Sequence, residues 1–444
     1  MINPFRERIW FIKGFVKKYT LQILVSLGIT VLVVSLGNIV VSRLPHPKAR
    51  YRIGIVGQFG SGQLPPYIIN FVNAGLVTID NNHEPLPGLA ERWEISDDGK
   101  TYTFYLKPNL KWYSGKAVKA SDIKISIPNI SIETVDPNII RFHIPTKFSP
   151  FLSLLNIPLL NSFGEIIGEY DIHLKQKSSG VISQITVETR DKTLIFNVFP
   201  TAKQALTAFK LGQADLVLNL PSEYQTEAEQ YGKISKLVDS NHVVELIFNQ
   251  QDPNLKEKNV RQGIAYSLKD KTFGQTEALT TINPSSWVFN PLVKTYPYNP
   301  QRTKELIKSP ISLELATTPE LLSVAENIKN QLNSDKISIN TKVVTSIPEQ
   351  FQLLLTTYSI PSDPDQYRDW HSTQSTNIGR GSDEKIDKLL EDGRITQDSK
   401  ERKRIYFDFQ KTFAEEIPAL VLYYPSVFNL ARKEAYFQLI DTAK

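Results

Sequence analysis

The sequence predicts an α/β protein of two lobes that follows a single apolar helix. The chain has 444 residues, which is long enough for two domains. Residues 53–245 are rich in short strand patterns with tight turns, whereas residues 246–417 alternate helix and strand patterns. Two further strand patterns in 418–444 are expected to return to the first lobe and complete it. Residues 21–41 contain no ionisable side chain and form the apolar helix.

The apolar segment 21–41 would span about 30 Å as a helix, close to the hydrocarbon thickness of a bilayer. A signal peptide has a shorter apolar core, and the residues after this segment offer no convincing cleavage site. We therefore predict a transmembrane anchor helix at 21–41, a cytoplasmic basic tail at 1–20 and a linker at 42–52. The basic tail favours a cytoplasmic N-terminus, so the body would be extracellular or periplasmic. The alternative is a buried core helix.

Charge is unevenly distributed along the chain. Residues 1–52 hold nine Lys and Arg against one acid, whereas the whole chain has a net charge of +5, so the body is slightly acidic. A basic body that would bind nucleic acid is therefore not expected. The chain contains no cysteine, which excludes disulfides, a thiol nucleophile, cysteine-bound zinc and a lipid-modified cysteine anchor.

Residues 93–106 (WEISDDGKTYTFYL) predict a strand, a tight turn and a second strand. Asp98 and Gly99 form the turn, because both residue types tolerate a positive φ. Tyr102 and Phe104 then alternate with threonines, as in a strand with one buried face. No pair of residues here could carry out chemistry, so the hairpin is interpreted as scaffold.

The second half of the body alternates helix and strand patterns. Residues 311–344 predict a strand–helix–strand unit, and residues 384–417 predict long amphipathic helices.

Near the start of the body, Gly57 and Gly62 have the spacing of a phosphate-binding loop. Gln63 stands where that loop needs its lysine, so nucleotide binding is rejected.

Several segments closely resemble family 5 extracellular solute-binding proteins, a family that contains the peptide-binding receptors of ABC importers. The distinctive segments are 75–80 with 84–124, and PSDPDQYRDWHSTQSTNIGRGSDEKIDKLLEDGR at 361–394. The resemblance continues in weaker segments at 259–268, 298–307 and 404–425. It implies a two-lobed, periplasmic-binding-protein-like clamp of the type II, peptide-binding class, with mixed sheets and strands that cross between the lobes. A solute would be enclosed where the lobes meet.

The resemblance also implies partners and a kind of site. The expected partners are a peptide or a similar small solute, an ABC permease and its ATPase, and the membrane through the N-terminal helix. No cofactor and no metal are expected, and the protein is expected to be a monomer. Ligand pockets are mostly apolar with few polar anchors, and aromatic side chains bury about 150–250 Å² each.

On these grounds the candidate cleft residues are aromatic, acidic or amide residues and lie in loops. They are Gln58, Phe59, Trp287, Phe289, Asp363, Asp365, Tyr367, Trp370 and His371. Each has a structural alternative, since the aspartates could cap a turn and Trp370 and His371 could pack between helices. His371 is not favoured as a metal ligand, because no second histidine lies near it in the sequence.

Two departures from the family limit what the resemblance implies. Peptide receptors of the family hold the ligand's amino group with an aspartate three residues before the Asp-Pro that matches Asp363-Pro364. That position is Ile360 here, and a neutral side chain would not form an ion pair with the ligand's ammonium group. After Asp122 the chain also lacks the long insertion of its relatives, so the peripheral part of the first lobe is reduced.

Two other functions remain open on the sequence alone. The same clamp could serve as a ligand sensor without transport. A surface hydrolase would use paired carboxylates such as Glu91 with Glu94 or Asp97 with Asp98, but such pairs are common by chance among 46 acids. The sequence contains no nucleophile elbow and no zinc-protease motif, so no catalytic residue and no enzymatic function are predicted.

Overall fold

The computed structural model describes residues 4–43, 48–60, 64–72, 75–161 and 165–441. The chain divides into two compact units between Ala49 and Arg50. Parts of the predicted linker (44–47) and of the glycine-rich loop (61–63) lie outside the described residues.

The first unit is the helix α1 (Pro4–Arg43), which leaves helical geometry at Tyr19 with φ −113° and ψ 16°. Among the described residues, no single helix is both long and apolar enough to cross a bilayer. The segments Lys13–Gln22 and Leu24–Val33 meet that requirement only as a pair bent by 56°. The described residues therefore do not show the transmembrane anchor helix predicted at 21–41 as a single membrane-spanning helix.

The second unit, the body, is an α/β structure. Its strands are β1 (Ala49–Val56), β2 (Val77–Ile79), β3 (Pro85–Pro87), β4 (Ala90–Ile95), β5 (Thr101–Leu106), β6 (Ser131–Asp136), β7 (Ile139–His143), β8 (Asp171–Gln176), β9 (Ile182–Glu188), β10 (Lys192–Phe199), β11 (Leu216–Pro221), β12 (Lys233–Val238), β13 (His242–Phe248), β14 (Thr276–Glu277), β15 (Ile311–Thr317), β16 (Ile337–Val343), β17 (Leu353–Ser359), β18 (Ala419–Tyr424) and β19 (Ser426–Ala431). Its helices are α2 (Pro66–Val72), α3 (Phe151–Leu154), α4 (Ala202–Lys210), α5 (Gln225–Ala228), α6 (Lys258–Ser267), α7 (Pro300–Leu306), α8 (Leu322–Leu332), α9 (Tyr367–Trp370), α10 (Glu384–Ile395), α11 (Ser399–Glu416) and α12 (Gln438–Asp441).

Lobe I is built on a seven-stranded mixed sheet in the order β12-β19-β11-β1-β10-β9-β8. Helix α4 covers one face through Leu206 and Phe209, and Ile53, Ile185 and Phe196 pack on the other face. A separate four-stranded antiparallel sheet, β4-β5-β7-β6, forms the peripheral sheet. This sheet contains residues on both sides of Asp122, the position after which the sequence analysis predicts a reduced peripheral part.

The predicted hairpin lies in the peripheral sheet. Strands β4 and β5 pair antiparallel, and Gly99 has φ +67°, which confirms the predicted turn. Tyr102, Phe104 and Leu106 are buried, and Thr101 and Thr103 lie on the half-exposed face. The alternation of the sequence therefore identified the buried face correctly.

Lobe II is built on a six-stranded sheet in the order β14-β18-β13-β17-β15-β16. The predicted unit at 311–344 is confirmed, because β15 and β16 pair in parallel and α8 connects them. Helices α10 and α11 cover one face of the sheet. Asp383 and Asp398 cap their N-termini by accepting hydrogen bonds from Ile386 and Glu401, which fixes where each helix begins.

The chain crosses between the two large sheets at two neighbouring places. Residues 239–241 lead from β12 in lobe I to β13 in lobe II, and Pro425 separates β18 in lobe II from β19 in lobe I. The sequence pattern suggested crossings near 245 and 418. The crossings lie a few residues away because pairing with β17 and β13, which hydropathy does not reveal, keeps all of β13 and β18 in lobe II.

Candidate functional site

The two crossing segments are joined to each other and to lobe II. The backbone N–H of Asp239 donates to the carbonyl oxygen of Pro425 at 2.9 Å. The Asn283 amide donates to the Ser240 carbonyl at 2.9 Å and to the Asn241 side chain at 3.1 Å. We interpret these two adjacent short connections as a hinge, since small backbone rotations there can move one lobe against the other.

A second set of contacts joins the peripheral sheet and its loops to lobe II, and we call it the side contact. Its polar contacts are the Trp287 N–H with the Asn82 carbonyl at 2.8 Å, the Ser149 hydroxyl with the Thr396 carbonyl, and the Gln397 amide with the Tyr102 hydroxyl at 3.0 Å. The Gln397 amide also reaches the Gly99 carbonyl at 3.3 Å. A Cβ at Gly99 would lie 2.8 Å from that amide nitrogen, so the turn of the hairpin needs glycine for its close approach as well as its φ.

Two ion pairs lie in lobe II beside the side contact. Asp363 binds Arg402 through two hydrogen bonds of 2.6 and 3.0 Å and accepts a third, of 3.2 Å, from Ser153 of the peripheral region. Asp365 accepts from Arg394 at 3.1 Å. Burial alone would lower the pKa of the Arg402 guanidinium, but the Asp363 carboxylate outweighs it and holds that pKa above its usual value. The Arg402 guanidinium is therefore charged.

The predicted aromatic residues of this segment pack inside lobe II. Tyr367 stacks on the His371 ring at 4.0 Å between centroids, and the Arg394 guanidinium lies 4.3 Å from the Tyr367 ring. Trp370 meets the edge of Phe413 at 4.7 Å. His371 is only 3% exposed, so in this structure it lies within a packed layer.

The side contact encloses a cavity of about 260 Å³. Trp287 and Arg402 line it from lobe II, and Glu84, Tyr102 and Leu152 line it from the peripheral region. Trp287 is half-buried, so part of its ring faces this space. The cavity therefore lies between lobe II and the peripheral region of lobe I.

A larger cavity of about 890 Å³ lies wholly in lobe II. Amide side chains, among them Gln250, Gln251 and Asn377, line it together with Arg380. It lies at the end of β13 that is far from the crossing segments. Every lining residue belongs to one lobe, so this groove would not respond to movement between the lobes.

Two lobes joined by a hinge of crossing strands, with a cavity between them, form a clamp. A family model described as bacterial extracellular solute-binding proteins, family 5 Middle, matches residues 84–178 and 190–378, which is more than half of the chain. The chain belongs to this family of extracellular solute-binding proteins.

Individual relatives agree with this assignment. This solute-binding protein is 23% identical to the dipeptide-binding protein of Escherichia coli, over 81% of this chain and 84% of the relative. Its fold is similar to that of NikZ from Campylobacter jejuni, solved with Ni(L-His), with a TM-score of 0.69, 21% identity, and coverage of 88% and 95%. The oligopeptide-binding protein AppA of Bacillus subtilis, solved with a nonapeptide, gives a TM-score of 0.64 at 19% identity, with coverage of 87% and 95%.

The candidates in lobe I lie apart from those in lobe II. Gln58 is exposed, and Phe59 packs against the lobe I core while its carbonyl accepts from the Ile182 N–H at 2.8 Å. No described hydrogen bond or ring contact joins either residue to lobe II. Trp287 and Phe289, by contrast, pack on the same lobe II cluster as Trp370.

One buried acidic residue of the solute-binding protein was missed by the sequence analysis. Glu245 in β13 is 1% exposed, and no described atom forms a hydrogen bond with either of its carboxylate oxygens. Burial, and then the nearby Asp369 carboxylate, raise its pKa to about 8. The signal was visible as a single acid within the apolar run 243–248.

Ile360, the residue that departs from the family pattern, lies on the same face of the sheet as Glu245. It is 7% exposed and packs with Val243, Ala278 and Tyr424. Its N–H donates to the Asn241 carbonyl at 2.8 Å, which attaches it to the hinge. The hinge end of the lobe II sheet is therefore lined by apolar and aromatic groups around one unpaired acid.

Proposed function

We propose that this protein is the receptor of an ABC importer and that it binds a peptide or a similar small oligomeric solute between its lobes. The observation that carries the proposal is the hinge at 239–241 and Pro425, which joins two lobes on either side of a cavity. Relatives whose names state a peptide ligand, matched over most of their length, support the ligand class. The solute would be held and released without chemical change.

The proposed cleft residues divide into three groups by their contacts. Trp287 is the candidate best supported by geometry, because it lines the cavity and its backbone is hydrogen-bonded across it to Asn82. Asp363 and Asp365 already bind arginines, so their role would be to hold the cleft wall in shape. Among the remaining candidates, the ring side chains would form aromatic walls of the cleft and Gln58 would offer a polar amide; they are Gln58, Phe59, Phe289, Tyr367, Trp370 and His371.

The membrane anchor is the second part of the proposal. We propose that α1 tethers the protein to the membrane and that the body faces the outside of the cell. The apolar segment 21–41 and the basic residues before it support this arrangement. Protease added to intact cells should digest the body, and full protection of the body would contradict this topology.

The ligand class can be tested on the full chain purified in detergent. A library of randomised tripeptides should raise the melting temperature, because a ligand that binds only the folded state stabilises it. An equimolar mixture of free amino acids is the matched control and should have no effect. Failure of the tripeptides to raise the melting temperature, together with no solute retained in native mass spectrometry, would contradict peptide binding.

A further inference from the structure

Glu245 has an arrangement that the fold alone does not require. It lies near the hinge end of β13, the central strand of lobe II, four residues after the crossing segment 239–241. Within the described part of the chain, no lysine, arginine or histidine forms an ion pair with it, and no group donates a hydrogen bond to it. A buried acid left without any partner is costly, and most buried polar groups have one.

The groups near Glu245 bond to one another and not to Glu245. Asp369 of α9 is an acid that affects it, and the Tyr358 hydroxyl of β17 donates to Asp369 at 2.8 Å. Arg368 pairs with Asp369 at 3.2 Å and is 77% exposed, so it does not compensate Glu245. The Arg368 guanidinium is therefore turned towards solvent.

Two other groups near this face are also buried without a partner. They are the Trp370 indole nitrogen and the Tyr424 hydroxyl. Trp370 lies 6.1 Å from Tyr358 between ring centroids, and Tyr424 packs in the same cluster as Tyr358. One acid, one indole N–H and one hydroxyl are thus left unpaired around a single region of the sheet. Such a set can bind a molecule that carries both hydrogen-bond donors and acceptors.

The layer over this region consists of irregular segments. The residues 278–283 and 360–366 have almost no regular secondary structure, and the pair Thr281–Gln366 joins them through two hydrogen bonds of 2.6 and 2.7 Å. The Asn283 amide fastens the first segment to the hinge. A movement at the hinge would therefore act directly on the layer that covers Glu245.

We propose that Glu245 receives the cationic group of the solute, a primary ammonium such as the free N-terminus of a peptide, when this layer is withdrawn. Trp370 and Tyr424 would supply the neighbouring hydrogen bonds to the solute's first carbonyl and amide groups. The inference rests on the proposed function and specifies its ligand class. Glu245 would also supply the carboxylate that pairs with the ligand's ammonium group, which the neutral Ile360 cannot do.

The raised pKa of Glu245 agrees with this geometry. At neutral pH the empty site would hold a protonated acid, whose burial is much less costly than that of a charge. An ammonium would favour the ionised form, so binding would release the proton of Glu245. Asp369, Tyr358 and Tyr424 are the other titratable groups around it, and the pKa of both tyrosines is raised by burial, so neither would lose a proton near neutral pH.

The test uses the full chain in detergent and two probes, the randomised tripeptide library and the same library with acetylated N-termini. For the native protein, the midpoint of the thermal-shift titration should be at least tenfold lower in concentration for the free-amine library. Glu245→Gln keeps the shape and removes the charge, and it should erase that tenfold preference. Glu320→Gln, an exposed acid of lobe II, makes the same charge change and should retain the preference.

The outcomes separate the two proposals. A native protein that binds both libraries equally would overturn the role of Glu245 and leave peptide binding intact. A native protein that binds neither library would overturn peptide binding itself, and the role of Glu245 with it. A Glu245→Gln variant that keeps the full preference would also overturn the inference.

A measurement on the native protein covers the case in which Glu245→Gln does not fold. Calorimetry of the free-amine library at pH 7, in two buffers with different ionisation enthalpies, should show the release of about one proton per bound peptide. Binding without any exchange of protons would contradict ionisation of Glu245 by the ligand.

Discussion

The side contact and the hinge end of the lobe II sheet differ in whether their buried acid has hydrogen-bond partners. At the side contact, Asp363 has three hydrogen-bond donors from two side chains, and each of the three guanidinium nitrogens of Arg402 donates a hydrogen bond. At the hinge end, Glu245 is more deeply buried than Asp363, and no group among the described residues donates a hydrogen bond to it. Both acids lie in lobe II, so the difference concerns local chemistry.

This difference suggests that the two regions have different roles. A saturated network such as Asp363–Arg402–Ser153 fixes the position of the elements that contribute to it. An unsaturated group next to a hinge is stable only when it is neutral or when a partner arrives from outside. We therefore expect changes at the side contact to alter folding stability, and changes at Glu245 to alter pH dependence and ligand choice.

The largest change in unfolding free energy is expected for substitutions in the Asp363–Arg402–Ser153 network. Arg402→Met would leave the Asp363 carboxylate buried without its cation, and breaking a buried pair in this way typically costs about 3–5 kcal/mol of unfolding free energy. Chemical denaturation of the full chain would measure the loss. The double variant Asp363→Asn/Arg402→Met should recover much of it, and Arg404→Met, on the exposed side of α11, should cause little change.

If Arg402→Met alone is as stable as the native protein, the pair does not hold the side contact together. If the double variant is no more stable than the single one, the loss comes from packing of the arginine and not from an unpaired acid.

A smaller change in folding stability is expected for substitution of Glu245, and this change depends on pH. Its folded-state pKa of about 8 lies above the ordinary value of 4.5, so its contribution to stability is fully present below pH 4.5 and is lost as pH rises to about 8. Each pKa unit corresponds to about 1.4 kcal/mol, so the shift from 4.5 to about 8 sets an upper limit on the order of 5 kcal/mol for this loss. Glu245→Gln should flatten the stability curve between pH 5 and 8.

Denaturation midpoints of both proteins at several pH values would measure this difference. Parallel curves would show that Glu245 has an ordinary pKa in the folded state, and the contrast between the two regions would then fail.

The smallest effect is expected for the aromatic wall of the cavity. Trp287→Ala should weaken binding of the tripeptide library by about 1 kcal/mol or more, by analogy with aromatic hot spots at protein interfaces. Calorimetry would measure it, with Tyr298→Ala as the control because Tyr298 is an exposed aromatic residue of lobe II. Unchanged affinity of Trp287→Ala would remove this residue from the site.

Local patterns in the sequence predicted much of the fold. The Asp98-Gly99 turn, the alternation of Tyr102 and Phe104, and the unit at 311–344 each depend on neighbours in sequence, and each is confirmed. The crossing points were displaced because the pairing of β18 with β13 joins residues about 175 positions apart. Hydropathy carries no information on such pairing.

The candidate site was harder to predict for the same reason. Asp363 and Asp365 were identified by family resemblance, but their partners Arg402 and Arg394 come from helices further along the chain, and Ser153 comes from the other lobe. Glu245 carried a local signal, an acid in an apolar strand. Its lack of partners became visible only once the surrounding elements were placed.

The central claim, that a peptide is bound by a clamp whose lobes move about the hinge, can be tested by one distance measurement. The chain has no cysteine, so Lys203→Cys in α4 of lobe I and Lys304→Cys in α7 of lobe II allow two spin labels to be attached selectively. The lobe II segments 278–283 and 360–366 cover Glu245 and are hydrogen-bonded to the hinge through Asn283 and Ile360, so we expect parting of the solute-free lobes to displace them. The distance distribution should therefore be broad without solute and become narrower and shorter with the tripeptide library. A distribution that stays the same while the peptides bind would contradict the account.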